Sequence, residues 1–282
     1  MKKPIVIMSD TRQLQTNKED ADYYSLCVFI NSVYCKKNGY DFIFYHVQNN
    51  TYRALLQNIW NILKTSGLRT WFKKFVMGRG FIGSETPVCY NTRLRQYRSA
   101  AWAKIIAAKD ALSLNNSAVV YLDSDCIFRD QQTRIEEFTA KAQRRSGCSS
   151  FGESVIGFLN NYPTNADTPC CGFFVLKNNP DGISLLSEWW NLSNPYYNLK
   201  FYFEQASMEK LYPYNLDSIC LWDEKSFVEC EGQFIRHICN FEHDQRHPYF
   251  LKIVNNLEAE LNVKFEDVIN GIKIRSLINP AW

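Results

Sequence analysis

Short apolar runs of strand length alternate along this chain with segments of helical spacing, and this alternation constrains the fold more than any other feature. Pro4–Met8, Tyr40–Val47 and Ala118–Leu122 are such runs, each short enough for a buried strand. Residues 22–37 and 100–114 lie between them and place apolar side chains at helical spacing. The order strand, helix, strand, helix, strand predicts an α/β fold with a mixed, mostly parallel sheet flanked by helices.

The length and composition fit one large domain rather than two small ones. The 282 residues are 46% hydrophobic and 15% aromatic, which is enough for a sizeable core and excludes disorder as the main state. The formal net charge of +3 is too mild to indicate a nucleic-acid partner. A further strand at Gly172–Leu176 and a helix at 182–191 continue the pattern, so we expect a single domain over residues 1–282.

Neither a membrane span nor a secretion signal is expected. The chain has no run of 18 apolar residues, and the apolar stretch Ile5–Met8 is too short for a signal peptide. The pattern therefore predicts a cytoplasmic protein in a reducing compartment. In that setting we expect the ten cysteines to be free thiols rather than disulfides or a zinc site.

A basic segment spans about residues 52–98. It contains nine Lys and Arg residues and one acid, Glu85, and its apolar residues recur at helical spacing. Three interpretations stay open: helices that pack on the core with solvated charges, which we favour, a peripheral contact with an anionic membrane, and a basic wall for an anionic substrate. The segment is predicted to be a helical insertion in the first half of the domain.

Two aspartates follow the apolar run Ala118–Leu122 directly, in the motif Asp123-Ser124-Asp125. Their alternation puts both carboxylates on one side of the chain, where a parallel strand ends and ligands bind. Oxygen ligands suit Mn²⁺ or Mg²⁺, and such an ion can neutralise a diphosphate leaving group. The alternative is that the two aspartates only cap the next turn.

Several motifs in order along the chain resemble one family of enzymes. They are Ser9-Asp10-Thr11, Asn38–Phe42, Ala101–Lys104, Val120–Phe128, Cys171–Lys177, Glu204-Gln205 and Phe234–His237. With these, the chain resembles nucleotide-sugar glycosyltransferases of the GT-A fold, which is Rossmann-like. It is most similar among them to the galactosyl/xylosyl/mannosyl transferase family of plant and fungal Golgi enzymes.

The resemblance implies a metal-dependent transfer of a sugar from a nucleoside diphosphate sugar, UDP- or GDP-linked, to a glycan, lipid-linked or protein acceptor. It implies that Asp123, Asp125 and His237 bind Mn²⁺ or Mg²⁺, and that Glu204 and Gln205 contact the transferred sugar or the acceptor. The donor-binding residues expected from it are Asp10, Thr11, Arg12, Lys104, Ser124 and Gly172, and Arg98 competes with Lys104 for the phosphate. Residues 1–130 would bind the donor, and residues 131–282 would bind the acceptor and carry the C-terminal metal ligand.

The resemblance also implies retention of anomeric configuration, although Glu204 or Asp217 could serve as the base of an inverting enzyme. One departure stands out, because the family has a phosphate-clasping Lys after its metal histidine, whereas this chain reads Ile238–Glu242. Either Arg236 or Arg246 replaces that cation, or the register is shifted and His243 or His247 is the ligand.

Two other functions stay open. One is a catalytically degenerate protein that binds a nucleotide sugar, a glycan or a membrane. The other is a nucleotidyltransferase, which Ser9–Arg12 disfavours because it contains no glycine. The family's signal anchor is missing, so a bacterial or viral cytosolic enzyme fits better than a Golgi one.

Overall fold

A computed structural model describes most of the chain. The described residues are 2–48, 87–94, 96–142, 149–160, 168–192, 203–223, 232–238 and 241–282. Residues 52–86 of the basic segment lie outside these ranges, so the helices and the membrane contact predicted there stay predictions, whereas the described end of the segment forms two paired strands rather than a helix.

The predicted strands at 4–8, 40–47, 118–122 and 172–176 and the predicted helices at 22–37, 100–114 and 182–191 all have counterparts in the structure. The strands are β1 Ile5–Asp10, β2 Asp41–Gln48, β3 Pro87–Asn91, β4 Gln96–Ser99, β5 Ala118–Leu122, β6 Cys126–Phe128, β7 Ile156–Asn160, β8 Pro169–Lys177, β9 Ile219–Trp222, β10 Ile235–His237 and β11 Lys273–Ile278. The helices are α1 Tyr23–Asn38, α2 Ala103–Leu112, α3 Ile135–Lys141, α4 Pro180–Asn191, α5 Phe203–Leu211, α6 His243–Leu261 and α7 Phe265–Asn270.

Seven strands form one sheet in the order β11-β2-β1-β5-β8-β7-β9. Six of them run in one direction, and β8 is antiparallel to both of its neighbours, β5 and β7. Strand β5 is buried at all five positions, because helices cover both faces of the sheet at its centre. The chain is therefore a single α/β domain with a mixed, mostly parallel sheet, as the sequence predicts.

Helix α1 is largely buried and fixes the position of β6. Twelve of its sixteen residues are buried, because it packs against the sheet and against α6 and α7. The helix ends at Gly39, whose φ of 71° is a left-handed conformation that suits glycine. The buried Asn31 donates a hydrogen bond to Cys126 O at 2.9 Å and accepts one from Phe128 N–H at 3.0 Å, which fixes β6 against the helix.

Strand β6 pairs with β10 in a short antiparallel ribbon outside the main sheet. In this ribbon His237 lies opposite Cys126, the residue after Asp125. The ribbon therefore brings a residue near the C-terminus to the carboxyl end of β5.

Two observations concern the described cysteines and helices. Seven cysteines lie in the described ranges, and all are buried and free; they are Cys27, Cys35, Cys89, Cys126, Cys170, Cys171 and Cys220. Among the helices that the structure describes, none is both long and apolar enough to cross a membrane.

Candidate functional site

Asp123 directly follows β5, and neighbouring residues hold both its backbone and its side chain. Its backbone N–H donates to Gly172 O at 2.8 Å. Its carboxylate is 3.0 Å from Lys104 Nζ and accepts a hydrogen bond from the hydroxyl of Tyr121 at 2.9 Å. The side chain keeps 30% of its surface exposed, so it can still reach a ligand.

Asp125 lies near Asp123 and pairs with two basic side chains, those of His237 and Arg246. Its Oδ1 is 3.1 Å from His237 Nε2, and its Oδ2 accepts a hydrogen bond from Arg246 Nη1 at 3.0 Å. Burial alone would raise the pKa of Asp125, but His237 and Arg246 outweigh it and lower this pKa to about 2. Asp125 is therefore an ionised carboxylate at neutral pH.

Asp123, Asp125 and His237 converge as a metal site requires. One ligand atom from each lies within 4.8 Å of the others. Two carboxylates and an imidazole form a donor set that accepts Mn²⁺ or Mg²⁺, so the residues present fit the expected ion. Asp123 and Asp125 share this space with His237, which lies 112 positions after Asp125 in the sequence.

Two neighbours fix the imidazole of His237. A Cβ on Gly172 would lie 2.4 Å from His237 Cε1, so only glycine leaves room for the ring. Cys170 Sγ is also 3.6 Å from His237 Nδ1. Gly172, expected to contact the donor, lies in the structure directly against the histidine.

Lys104 links Asp123 to Glu204, one residue of the predicted catalytic pair. Its Nζ is 2.7 Å from Glu204 Oε1 and donates to Cys171 O at 3.1 Å, in addition to its contact with Asp123. Burial and the nearby charge of Asp123 raise the pKa of Glu204 to about 7, although Lys104 opposes this. Burial alone would lower the pKa of Lys104, but the two carboxylates outweigh it and raise this pKa well above its usual value.

Gln205 makes a different set of contacts from its neighbour Glu204. Its amide oxygen accepts a hydrogen bond from Cys171 N–H at 3.3 Å, and its nitrogen donates to Glu209 at 3.3 Å. The side chain therefore ties α5 to β8.

The predicted donor-binding loop lines a cavity of about 530 Å³ at the carboxyl ends of β1 and β5. Asp10, Thr11, Arg12, Asp123 and Ser124 all contribute to its wall. Arg12 forms a two-point ion pair with Asp10, at 2.9 and 2.6 Å, and its Nη2 is 3.2 Å from Ser124 Oγ. The loop after β1 and the motif after β5 are thus joined by one guanidinium.

Other candidates lie elsewhere. Arg98 is 2% exposed and stacks on Trp102 and Trp190, with its Cζ 3.7 and 4.9 Å from the two ring centroids. Asp217 lies in the turn before β9, which is at the amino ends of the parallel strands and opposite Asp123. Arg236 stacks on Tyr249 at 4.7 Å.

Glu242, the departure from the family pattern, caps α6. It forms a capping box with Gln245, in which each side chain accepts a hydrogen bond from the other residue's backbone N–H. The acid therefore has a structural role at the first turn of the helix that carries Arg246.

Sequence reasoning missed two aromatic residues at the site. Tyr121 bonds to Asp123 and lies 3.2 Å from Ser9 Oγ. Its position two residues before Asp123 was the available signal, because alternate residues of a strand share a face. The ring of Tyr23 contacts both Arg12 and Arg246. Its centroid is 5.1 Å from Arg12 Cζ and 5.3 Å from Arg246 Cζ. No local sequence pattern marks this residue.

Comparison with known proteins bears on the fold. No family model and no curated protein sequence matches the chain. A solved glycosyltransferase involved in the glycosylation of the major capsid of PBCV-1 is similar over 88% of this chain and 98% of that one, with 12% identity and a TM-score of 0.57. The chain has the GT-A fold. The fold class that the sequence predicts is thus confirmed.

Two further solved structures match this GT-A chain less well. Mouse xyloside xylosyltransferase 1 has a TM-score of 0.45 and 12% identity, over 85% of this chain and 99% of that one. The galactosyltransferase LgtC has a TM-score of 0.45 and 14% identity, over 89% of this chain and 95% of that one. The narrower likeness to plant and fungal Golgi enzymes continues to rest on sequence motifs.

Proposed function

We propose that this chain is a metal-dependent glycosyltransferase that moves a sugar from a UDP- or GDP-linked donor to a glycan, lipid-linked or protein acceptor. The observation that carries the proposal is the convergence of Asp123, Asp125 and His237 beside the cavity at the carboxyl end of β5. On a GT-A fold this is a site where a divalent ion and a nucleoside diphosphate can meet. The narrower likeness to the galactosyl/xylosyl/mannosyl transferases is part of the proposal.

The protein's own residues divide the work of binding the donor. Asp10, Thr11 and Arg12 bind the base and ribose in the cavity, with Ser124 beside the ribose. Asp123, Asp125 and His237 would hold Mn²⁺ or Mg²⁺, which would supply charge stabilisation for the departing diphosphate. Arg246 replaces the phosphate-clasping cation of the family, which is supported by its position against Asp125 and by the capping role of Glu242.

Retention is favoured by where the carboxylates lie. Asp217 lies at the amino ends of the parallel strands, whereas the site lies at their carboxyl ends, so Asp217 cannot act as a base at the site. Glu204 is close to Asp123 but is paired with Lys104 in a buried environment. It therefore suits a role in orienting the transferred sugar, with Gln205 holding α5 in place, while the leaving phosphate takes the acceptor proton.

An assay of donor hydrolysis and transfer tests the proposal. Purified protein is incubated with a panel of UDP- and GDP-sugars and Mn²⁺, and release of the nucleoside diphosphate is followed by chromatography. We expect release from at least one donor, abolished by Asp125→Ala and by a chelator. Binding of a nucleotide without any release or transfer would instead favour the degenerate binding protein.

A further inference from the structure

Arg246 is a built-in counter-ion of a proposed metal ligand. Its Nη1 donates to Asp125 Oδ2 at 3.0 Å, and both side chains are only 13% exposed. Its Nε donates to Phe241 O at 2.9 Å, and its guanidinium lies over the ring of Tyr23. The first turn of α6 thus holds a positive charge against the carboxylate.

The other aspartate has a cation of its own. Lys104 Nζ is 3.0 Å from Asp123 and is only 3% exposed. Two carboxylates that are each paired with a cationic side chain attract a divalent ion less strongly than unpaired carboxylates. The positive side chains repel the ion over a few ångströms. The protein alone is therefore a weakened divalent-ion site.

The two cations differ in how they are held. Lys104 Nζ contacts Asp123, Glu204 and the carbonyl of Cys171. Because it balances two carboxylates at once, it cannot move away without leaving a buried charge unpaired. Arg246 shares Asp125 with His237, so Asp125 keeps a basic partner when the guanidinium moves. A guanidinium also matches phosphate oxygens as well as it matches a carboxylate.

We infer that Arg246 opposes the binding of a divalent ion at Asp125 until a nucleoside diphosphate is present, and then transfers its hydrogen bond from Asp125 to the diphosphate. This inference rests on the proposed function. Arg246 would weaken the binding of the metal ion alone and strengthen the binding of the metal ion together with the nucleotide. Binding of the ion and binding of the nucleotide are therefore coupled through Arg246.

The inference predicts effects of opposite sign from one substitution. Arg246→Gln removes the charge and keeps an amide donor. Without the repelling charge, Mn²⁺ alone should bind about 3–10-fold more tightly. Without the charged donor, UDP at saturating Mn²⁺ should bind about tenfold more weakly or worse. GDP replaces UDP if it is the nucleotide that the wild type binds.

Two control variants accompany Arg246→Gln. Arg246→Lys keeps the charge and should restore Mn²⁺ affinity to within about twofold of wild type. Lys252→Met removes one charge from an exposed position of the same helix and should change neither affinity. Mn²⁺ binding is measured by the electron paramagnetic resonance signal of the free ion, nucleotide binding by calorimetry, and folding by thermal unfolding.

The outcomes separate this inference from the proposed function. Tighter Mn²⁺ binding with weaker nucleotide binding in folded Arg246→Gln supports the coupling. Unchanged or weaker Mn²⁺ binding in that variant overturns it, even if the wild type binds UDP with Mn²⁺ normally. If Arg246→Gln does not fold, Arg246→Met is measured in the same way and decides the matter by the same signs. If the wild type binds neither nucleotide, the proposed function and this inference both fail.

Discussion

Lys104 Nζ lies 2.7 Å from Glu204 Oε1, and both side chains are less than a tenth exposed. A buried ion pair gains strength from the low local dielectric, but loss of one partner leaves an uncompensated buried charge. Because Lys104 also contacts Asp123, the pair connects α5, the proposed catalytic helix, to the proposed metal site.

At about pH 8.5, where Glu204 is ionised in the wild type, Lys104→Met should destabilise the protein strongly, because the buried Glu204 must either keep its charge without a cation or bind a proton against the pH. We expect a loss of about 3–5 kcal/mol in the free energy of unfolding, measured by urea denaturation. The double variant Lys104→Met/Glu204→Gln should recover part of that loss, since no buried charge then remains in α5. Equal losses in the single and double variants would contradict this account of the pair.

The stability of the protein should depend on the ionisation of Glu204. Its pKa is raised to about 7 from an ordinary value of 4.5, so the folded state binds a proton that the unfolded state has released between these pH values. Stability from this group is present below about pH 4.5 and is lost as pH rises towards 7, by about 1.4 kcal/mol for each pKa unit.

Urea denaturation of wild type and Glu204→Gln at several pH values, with a chelator present, checks this dependence. The wild type should lose stability relative to the variant between about pH 5 and pH 7.5. A difference between the two proteins that does not change over this range would show that Glu204 is ionised throughout.

Gly172→Ala should weaken the metal site through His237. The new Cβ would lie 2.4 Å from His237 Cε1 and 2.8 Å from Nδ1, so the imidazole must move. We expect Mn²⁺ affinity to fall by about tenfold or more, measured by calorimetry. The matched control is Gly152→Ala, whose Cβ would meet only Ser150 Oγ at 3.5 Å and should change nothing. Unaltered Mn²⁺ binding in Gly172→Ala would remove His237 from the site.

Strand positions could be predicted well because burial leaves a strong mark on the sequence. Ala118–Leu122 is a strand with the predicted bounds, since a central strand covered on both faces admits only apolar residues. The direction of β8 was not predictable. Strand direction depends on the neighbours that the strand pairs with, and β8 pairs antiparallel with both β5 and β7.

The site was only partly predictable for the same reason. Asp123 and Asp125 carry a local signal, because they directly follow an apolar strand. His237 and Arg246 reach Asp125 through the β6–β10 ribbon and the capped start of α6, contacts that span 112 and 121 positions of sequence. Such contacts leave no periodicity, so the family resemblance named His237 and only the structure singled out Arg246 from Arg236.

Calorimetric titration of UDP and then GDP, each with and without Mn²⁺, tests the central claim most directly. It uses the wild type, Asp125→Ala and Asp181→Ala, which removes an exposed carboxylate at the start of α4. We expect one nucleotide to bind only with Mn²⁺, to lose that binding in Asp125→Ala and to keep it in Asp181→Ala. Failure of both nucleotides to bind, or binding that neither Mn²⁺ nor Asp125→Ala alters, would contradict a metal-dependent nucleotide-sugar site.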